Sequence, residues 1–368
     1  MKLLKKNKVF IILYIILTIL SIVSVIFTFN NHQFYKETIA KIDSTKEEYI
    51  STENITFGYT EEIYMQTIEA TILNGNDKGK NITIKNEYHK GEAYDQKYQK
   101  NDEIFVSLNK RNDEIINAHI EGYKRDKYIV ILIVSFILVL ILVGRLKGFL
   151  SLISVIINII IFYVIINLNT TGIPLAILSF VGSIIFSIIC LTLVSGFNKK
   201  TVAAVASSIL GVLTTMLISL IVINITKYSG VRFEQMELLT RPYEGIFLSE
   251  IILGGLGAIM DISITIASSL KELIDKNNKI SIKELKKSGF EIGKDITSTM
   301  INVLFFTYIC GVLPNLTIYF RNGVNLGSLI NEYISLEMTR ALTGAIGIVI
   351  TIPISIFISI LIYKRRLK

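Results

Sequence analysis

The stretch Ile252–Leu270, ILGGLGAIMDISITIASSL, decides how the rest of the chain is read. It sits within an apolar segment, Ile246–Leu270, long enough to cross a bilayer as a helix. Near its middle stands a carboxyl group, Asp261. A charged side chain at the centre of a membrane helix costs about 2.5–3.5 kcal/mol on insertion scales, so it normally faces protein or water and marks an ion or substrate path. Glu250, Gly254, Gly257, Asp261, Thr265 and Ser268 follow at helical steps of three and four, which places them on one face. Small residues there admit a close neighbour and polar ones bond across the contact. This face is therefore expected to point into a helix bundle, with Ile252, Leu256, Ile259, Ile266 and Leu270 on the opposite side.

Working outward, 51% of the residues are hydrophobic, and eight spans are predicted near 9–29, 128–144, 149–168, 173–194, 202–226, 246–270, 297–320 and 338–363. The expected fold is an α-helical polytopic membrane bundle of about eight transmembrane helices, with a small extracytoplasmic β-rich domain, OB-like or barrel-like, inserted after the first helix. Three regions follow: a signal anchor at 1–29, the β-rich domain at 30–127, and a seven-helix membrane domain at 128–368 with a cytoplasmic loop at 271–295. The basic start Lys2, Lys5, Lys6 and Lys8 with no small-x-small cleavage site favours an uncleaved anchor over a signal peptide.

The net charge of +8 does not imply a nucleic-acid partner. Residues 30–127 hold 14 Lys/Arg against 18 Asp/Glu, so the basic excess belongs to the membrane part. With a cytoplasmic amino terminus, the segments inside hold 19 Lys/Arg and the short outside loops 5. That bias predicts a multi-pass protein of the cell membrane with both termini in the cytoplasm and residues 30–127 outside.

Within that outside region Thr67–Leu73, Lys80–Asn86, Asp102–Leu108 and Ile115–Ile120 read as strands. Tyr35–Asn54, polar and charged, reads as a helix or an ordered linker. Cys190 and Cys310 lie in predicted spans, and His32, His89 and His119 are scattered, so neither a disulfide nor a metal site is indicated. No cofactor motif is present, and no enzyme activity is expected. An intramembrane aspartyl hydrolase would need two deep carboxyls, and only Asp261 is placed deep.

Candidate partners for Asp261 come from the seventh span, where Asp295, Thr299 and Asn302 share a face. At 1.5 Å per residue Asn302 and Asp261 fall at similar depth. Asp295 itself suits a helix start. In the eighth span Glu337 and Arg340 stand at pairing distance, followed by Gly344 and Gly347 as packing positions like Gly254 and Gly257. The fifth span carries Ala204, Ser207, Ser208, Gly211, Thr214 and Thr215 as another small-residue face. Before the seventh span, Ser281–Glu284 forms a capping-box pattern whose short basic surface helix is expected to stop at Gly289.

These residues resemble one family. Gly254–Leu273 (GGLGAIMDISITIASSLKEL), Glu284–Asn302 (ELKKSGFEIGKDITSTMIN), Tyr308–Pro314 (YICGVLP), Glu337–Arg340 and Leu342–Gly347 together resemble the YibE/F family of multi-pass membrane proteins. The resemblance implies the architecture above and names no substrate. Two functional classes are expected. The first is a transporter or channel-like permease for a cation, proton or small solute, using Asp261, Asn302, Ser268, Glu250 and Arg340. The second is a non-transporting scaffold of the cell envelope that binds protein partners through the β-rich domain or loop 271–295.

Overall fold

The computed structural model describes residues 2–54, 60–92, 95–111, 114–226, 233 and 243–363, without the side chains of 2–10, 13 and 226. The chain divides into two compact units, residues 1–148 and 149–368.

The first unit opens with helix α1, Lys2–Phe29, and a short 3-10 turn at His32–Phe34. Five strands follow: β1 (Thr38–Asn54), β2 (Thr60–Ile72), β3 (Asn81–His89), β4 (Glu103–Arg111) and β5 (Glu114–Tyr123). They form one antiparallel sheet in the order β3-β2-β1-β4-β5, and its two outer strands, β3 and β5, approach each other. This is the strand order of an OB-type barrel. Alternation of apolar residues builds its core, with Ile42, Ile68, Ile72, Ile84, Ile104 and Val106 buried together.

The segment Tyr35–Asn54 is therefore neither a helix nor a linker: most of it is the longest strand of the sheet. Its hydrogen bonds to β2 along its length and to β4 at its start override a composition rich in Lys and Glu. The other four predicted strands are present, each within a few residues of its expected bounds, except that β2 begins earlier, at Thr60.

Helix α2, Asp126–Thr170, is broken at Arg145, whose φ of 50° and ψ of −131° separate two arms at the place expected between the second and third spans. In the second unit α3 (Leu175–Ser195), α4 (Lys199–Thr226), α5 (Tyr243–Lys276), α6 (Ile282–Arg321), the one-turn α7 (Leu326–Leu329) and α8 (Ser335–Tyr363) follow, with a π-helical turn, Ile330–Ile334, leading into α8. Among the described residues, six helices are long and apolar enough to cross a membrane, α2 having the length for two crossings. The molecule is thus a helical membrane bundle with a β-rich domain after its first helix.

Helices α4, α5 and α8 form the centre of the second unit. Glycine allows their close approach: a Cβ on Gly211 of α4 would lie 2.5 Å from Thr351 Oγ1 of α8, and one on Gly347 of α8 would collide with Thr215 of α4. Hydroxyl groups line the seam, with Ser263 of α5 and Ser355 of α8 3.3 Å apart and both wholly buried. Tyr363 closes the α8 end by donating to the Ala267 carbonyl at 2.9 Å.

The capping box at the start of α6 forms as expected: Ser281 accepts from the Glu284 amide, and Glu284 returns a bond to the Ser281 amide. The helix does not stop at Gly289, however. It continues to Arg321, because Gly289 and Gly293 serve as contact points for Ile356 and Ile352 of α8. No separate surface helix exists here, and Asp295 lies inside α6, not at its start.

Candidate functional site

Arg340 of α8 gathers two carboxylates of the second unit. Its Nη1 donates to Glu337 Oε1 one helical turn earlier, at 2.6 Å, and its Nη2 stands 2.5 Å from Glu250 Oε2 of α5. The guanidinium lies over the Phe247 ring, 5.4 Å from its centre. From α6, the Tyr308 hydroxyl donates to the Glu250 carbonyl at 3.2 Å. Three helices thus meet around one cation and two carboxylates.

Local sequence explains the convergence. The i, i+3 spacing of Glu337 and Arg340 sets one pair on a single helix face. Gly254, one turn beyond Glu250, presents no side chain, and a Cβ there would collide with the Tyr308 hydroxyl. Gly344 of α8 likewise faces Leu304 of α6, where a Cβ would sit 2.9 Å from Leu304 Cδ2. Arg340 and Glu337 are each only 8% exposed, while the Glu250 side chain keeps 38% of its accessible surface.

The electrostatics are unbalanced. Two carboxylates share one guanidinium, which leaves one excess negative charge, and no other cation among the described residues pairs with either glutamate. Arg340 Nε is buried with no hydrogen-bond partner among the described residues.

Asp261 is placed differently from the expectation. On α5 the buried face is the aliphatic one: Ile252, Leu256, Ile259, Ile266 and Leu270 are core residues, whereas Gly257 and Asp261 are exposed on the chain's own surface and Ser268 is half-buried. The face of small and polar residues therefore does not point into this bundle below Gly254. The reason is physical: lipid is as apolar as a protein core, so aliphatic periodicity does not distinguish an inward face from an outward one. Asp295, Thr299 and Asn302 of α6 are exposed as well. Asp261, Asn302 and Ser268 form no hydrogen bond with one another or with any other described residue. A Cβ on Gly257 would meet nothing within 4 Å.

Of the expected site residues the structure brings together Glu250 and Arg340, joins Glu337 to them, and keeps Asp261, Asn302 and Ser268 apart from that group. Of the expected packing glycines, Gly254, Gly344 and Gly347 meet side chains of neighbouring helices and Gly257 does not; Gly289, expected as a helix stop, meets Ile356. Tyr308 was not singled out from sequence as a member. Its signal was its place in YICGVLP, as the one tyrosine of the stretch from Ile301 to Leu316 of α6.

A charged network held between hydrophobic helices, with a β-rich domain after the first helix, defines the class: a multi-pass integral membrane protein. The chain belongs to the YibE/F family. The pattern of the YibE/F-like protein family matches residues 132–365, and that of the YibE/F family N-terminal domain matches residues 33–123. No curated protein and no solved structure matches the chain.

Proposed function

We propose that the protein is a permease for a cation, proton or small solute, with Glu250, Arg340 and Glu337 as its principal membrane-embedded site. The observation that carries this reading is the enclosure of a guanidinium and two carboxylates between α5 and α8. Ionised groups inside apolar helices are costly to insert and are characteristic of substrate and ion pathways. The buried hydroxyls of Ser207, Ser208, Ser263, Thr351 and Ser355 add a polar seam between α4, α5 and α8. With both termini in the cytoplasm, the cluster stands toward the outer end of α5 and α8, and Asp261 deeper along α5. In that arrangement Asp261, about three turns of α5 further inward, forms the inner part of the path.

The test is flux in proteoliposomes made with purified protein, using a panel of monovalent and divalent cations and small polar solutes. Arg340→Gln and Asp261→Asn are compared with the parent. Loss of an observed flux in both variants supports the reading; parental flux in Arg340→Gln overturns it.

The second reading, a non-transporting scaffold of the cell envelope, draws on a different observation: Gly257 and Asp261 form a small, polar patch that no described residue of the second unit covers. In hydrocarbon such a patch favours a helix of another protein. Cysteine crosslinking from position 257 in native membranes tests it, and recovery of the protein uncrosslinked counts against it.

A further inference from the structure

We infer that Glu250 is a proton-exchanging group, and that its protonation releases α5 from α8. This deepens the permease reading by naming the ion, and it rests on the same site. Arg340 has two acceptors of unequal standing. Glu337 belongs to the same helix, and its side chain is 11% exposed, so that pair stays together however α8 moves. Glu250 belongs to α5, is 38% exposed, and supplies the ion pair between the two helices. Among the described residues, the charged and titratable groups that face Glu250 are Arg340 and Glu337 from α8 and Tyr308 from α6; described α4 residues at this level carry no charge.

Among the described residues one guanidinium faces two carboxylates, and the charge left uncompensated between apolar helices is costly until a proton neutralises it. The accessible carboxylate, Glu250, takes the proton: one oxygen gains an O–H bond, and the ion-pair contact with Arg340 gives way to a weaker neutral one. Arg340 then remains with Glu337. Loss of the proton restores the charge and the 2.5 Å contact across the helices. The exchange needs no other reactant than water.

Infrared difference spectroscopy of the full-length protein in lipid, titrated from acid to alkaline pH, reads this directly. The parent-minus-Glu250→Gln difference is expected to hold one carboxylic-acid C=O component that shifts in D₂O, over the bands common to the other Asp and Glu residues. Glu250→Asp, which keeps the carboxyl if Gln disturbs folding, retains a titrating band. Glu337→Gln removes the excess charge, so its band at neutral pH is lost and returns only on acidification. A C=O titration identical in the parent and in Glu250→Gln, or a Glu250-dependent component that responds to Na⁺ in place of pH, overturns the inference. If the band behaves as expected while no solute or ion crosses the membrane, the permease reading falls and the proton site stands.

Discussion

Arg340 and Glu250 are 90 residues apart in sequence and 2.5 Å apart in space, and theirs is the ion pair that ties α8 to α5. Removing the cation leaves two carboxylates enclosed without a partner. Breaking a buried pair by deleting one member costs about 3–5 kcal/mol, and Glu250, being partly exposed, places this case at or below the lower end of that range. Arg340→Ala is therefore expected to lower the thermal midpoint of the detergent-solubilised protein clearly more than Glu250→Gln, which leaves Arg340 with Glu337.

Gly254 and Gly257 look alike in sequence and differ in structure. A methyl at Gly254 meets the Tyr308 hydroxyl, and one at Gly257 meets nothing within 4 Å. Gly254→Ala is expected to destabilise by about 1–3 kcal/mol, the usual range for forced overpacking, and Gly257→Ala to leave the thermal midpoint of the isolated chain unchanged. Melting curves of the two variants side by side decide this.

How much of this was legible beforehand depends on what each residue answers to. The spans were legible because membrane crossing is a matter of length and apolarity. The Glu337–Arg340 pair was legible because it is local. Strand β1 was not, since its hydrogen-bond partners lie in β2 and β4 and its Lys/Glu-rich composition argued against it. The outward placement of Asp261 was not legible either, because Ile and Leu suit lipid and core equally. Gly289 suggested a helix stop, yet φ stays helical there and the missing side chain makes room for Ile356, a contact that only tertiary structure reveals.

At the base of the β-rich domain, Lys124 is wholly buried, 2.9 Å from Asp126 and 3.2 Å from Glu103, with its ammonium also 3.4 Å from the Thr28 carbonyl at the end of α1. Asp126 in turn accepts from Asn31 at 2.8 Å and Tyr35 at 3.0 Å. Lys124→Met takes the lysine cation from both carboxylates, leaving Asp126 its Asn31 and Tyr35 donors and Glu103 the His32 ring at 3.1 Å. Its expected cost is about 3–5 kcal/mol, seen as faster amide exchange in β4 and β5 of the intact protein.

The β-rich domain contains pH responses of opposite sign. The Asp95 carboxylate, bonded to the His89 ring at 2.5 Å, raises the His89 pKa above its usual 6.5. The contribution of this pair to stability is present below that value and is lost as pH rises through the raised one. Glu47 is held below the usual carboxylate range by Lys97 and the Tyr88 hydroxyl, so its contribution is present above that range and is lost as pH falls through the lowered value. Imidazole NMR titration is expected to give His89 a midpoint above 6.5, falling to the ordinary value in Asp95→Asn.

The most direct test of the permease reading is electrical. Proteoliposomes adsorbed on a solid-supported membrane are exposed to rapid jumps in pH, Na⁺, K⁺ and small polar solutes, and charge movement is recorded for the parent and for Glu250→Gln. A transient current on the pH jump in the parent that disappears in Glu250→Gln is the expected result. Equal currents in the two proteins, or no charge movement in the parent under any jump, would contradict a transport role for the Glu250–Arg340–Glu337 cluster.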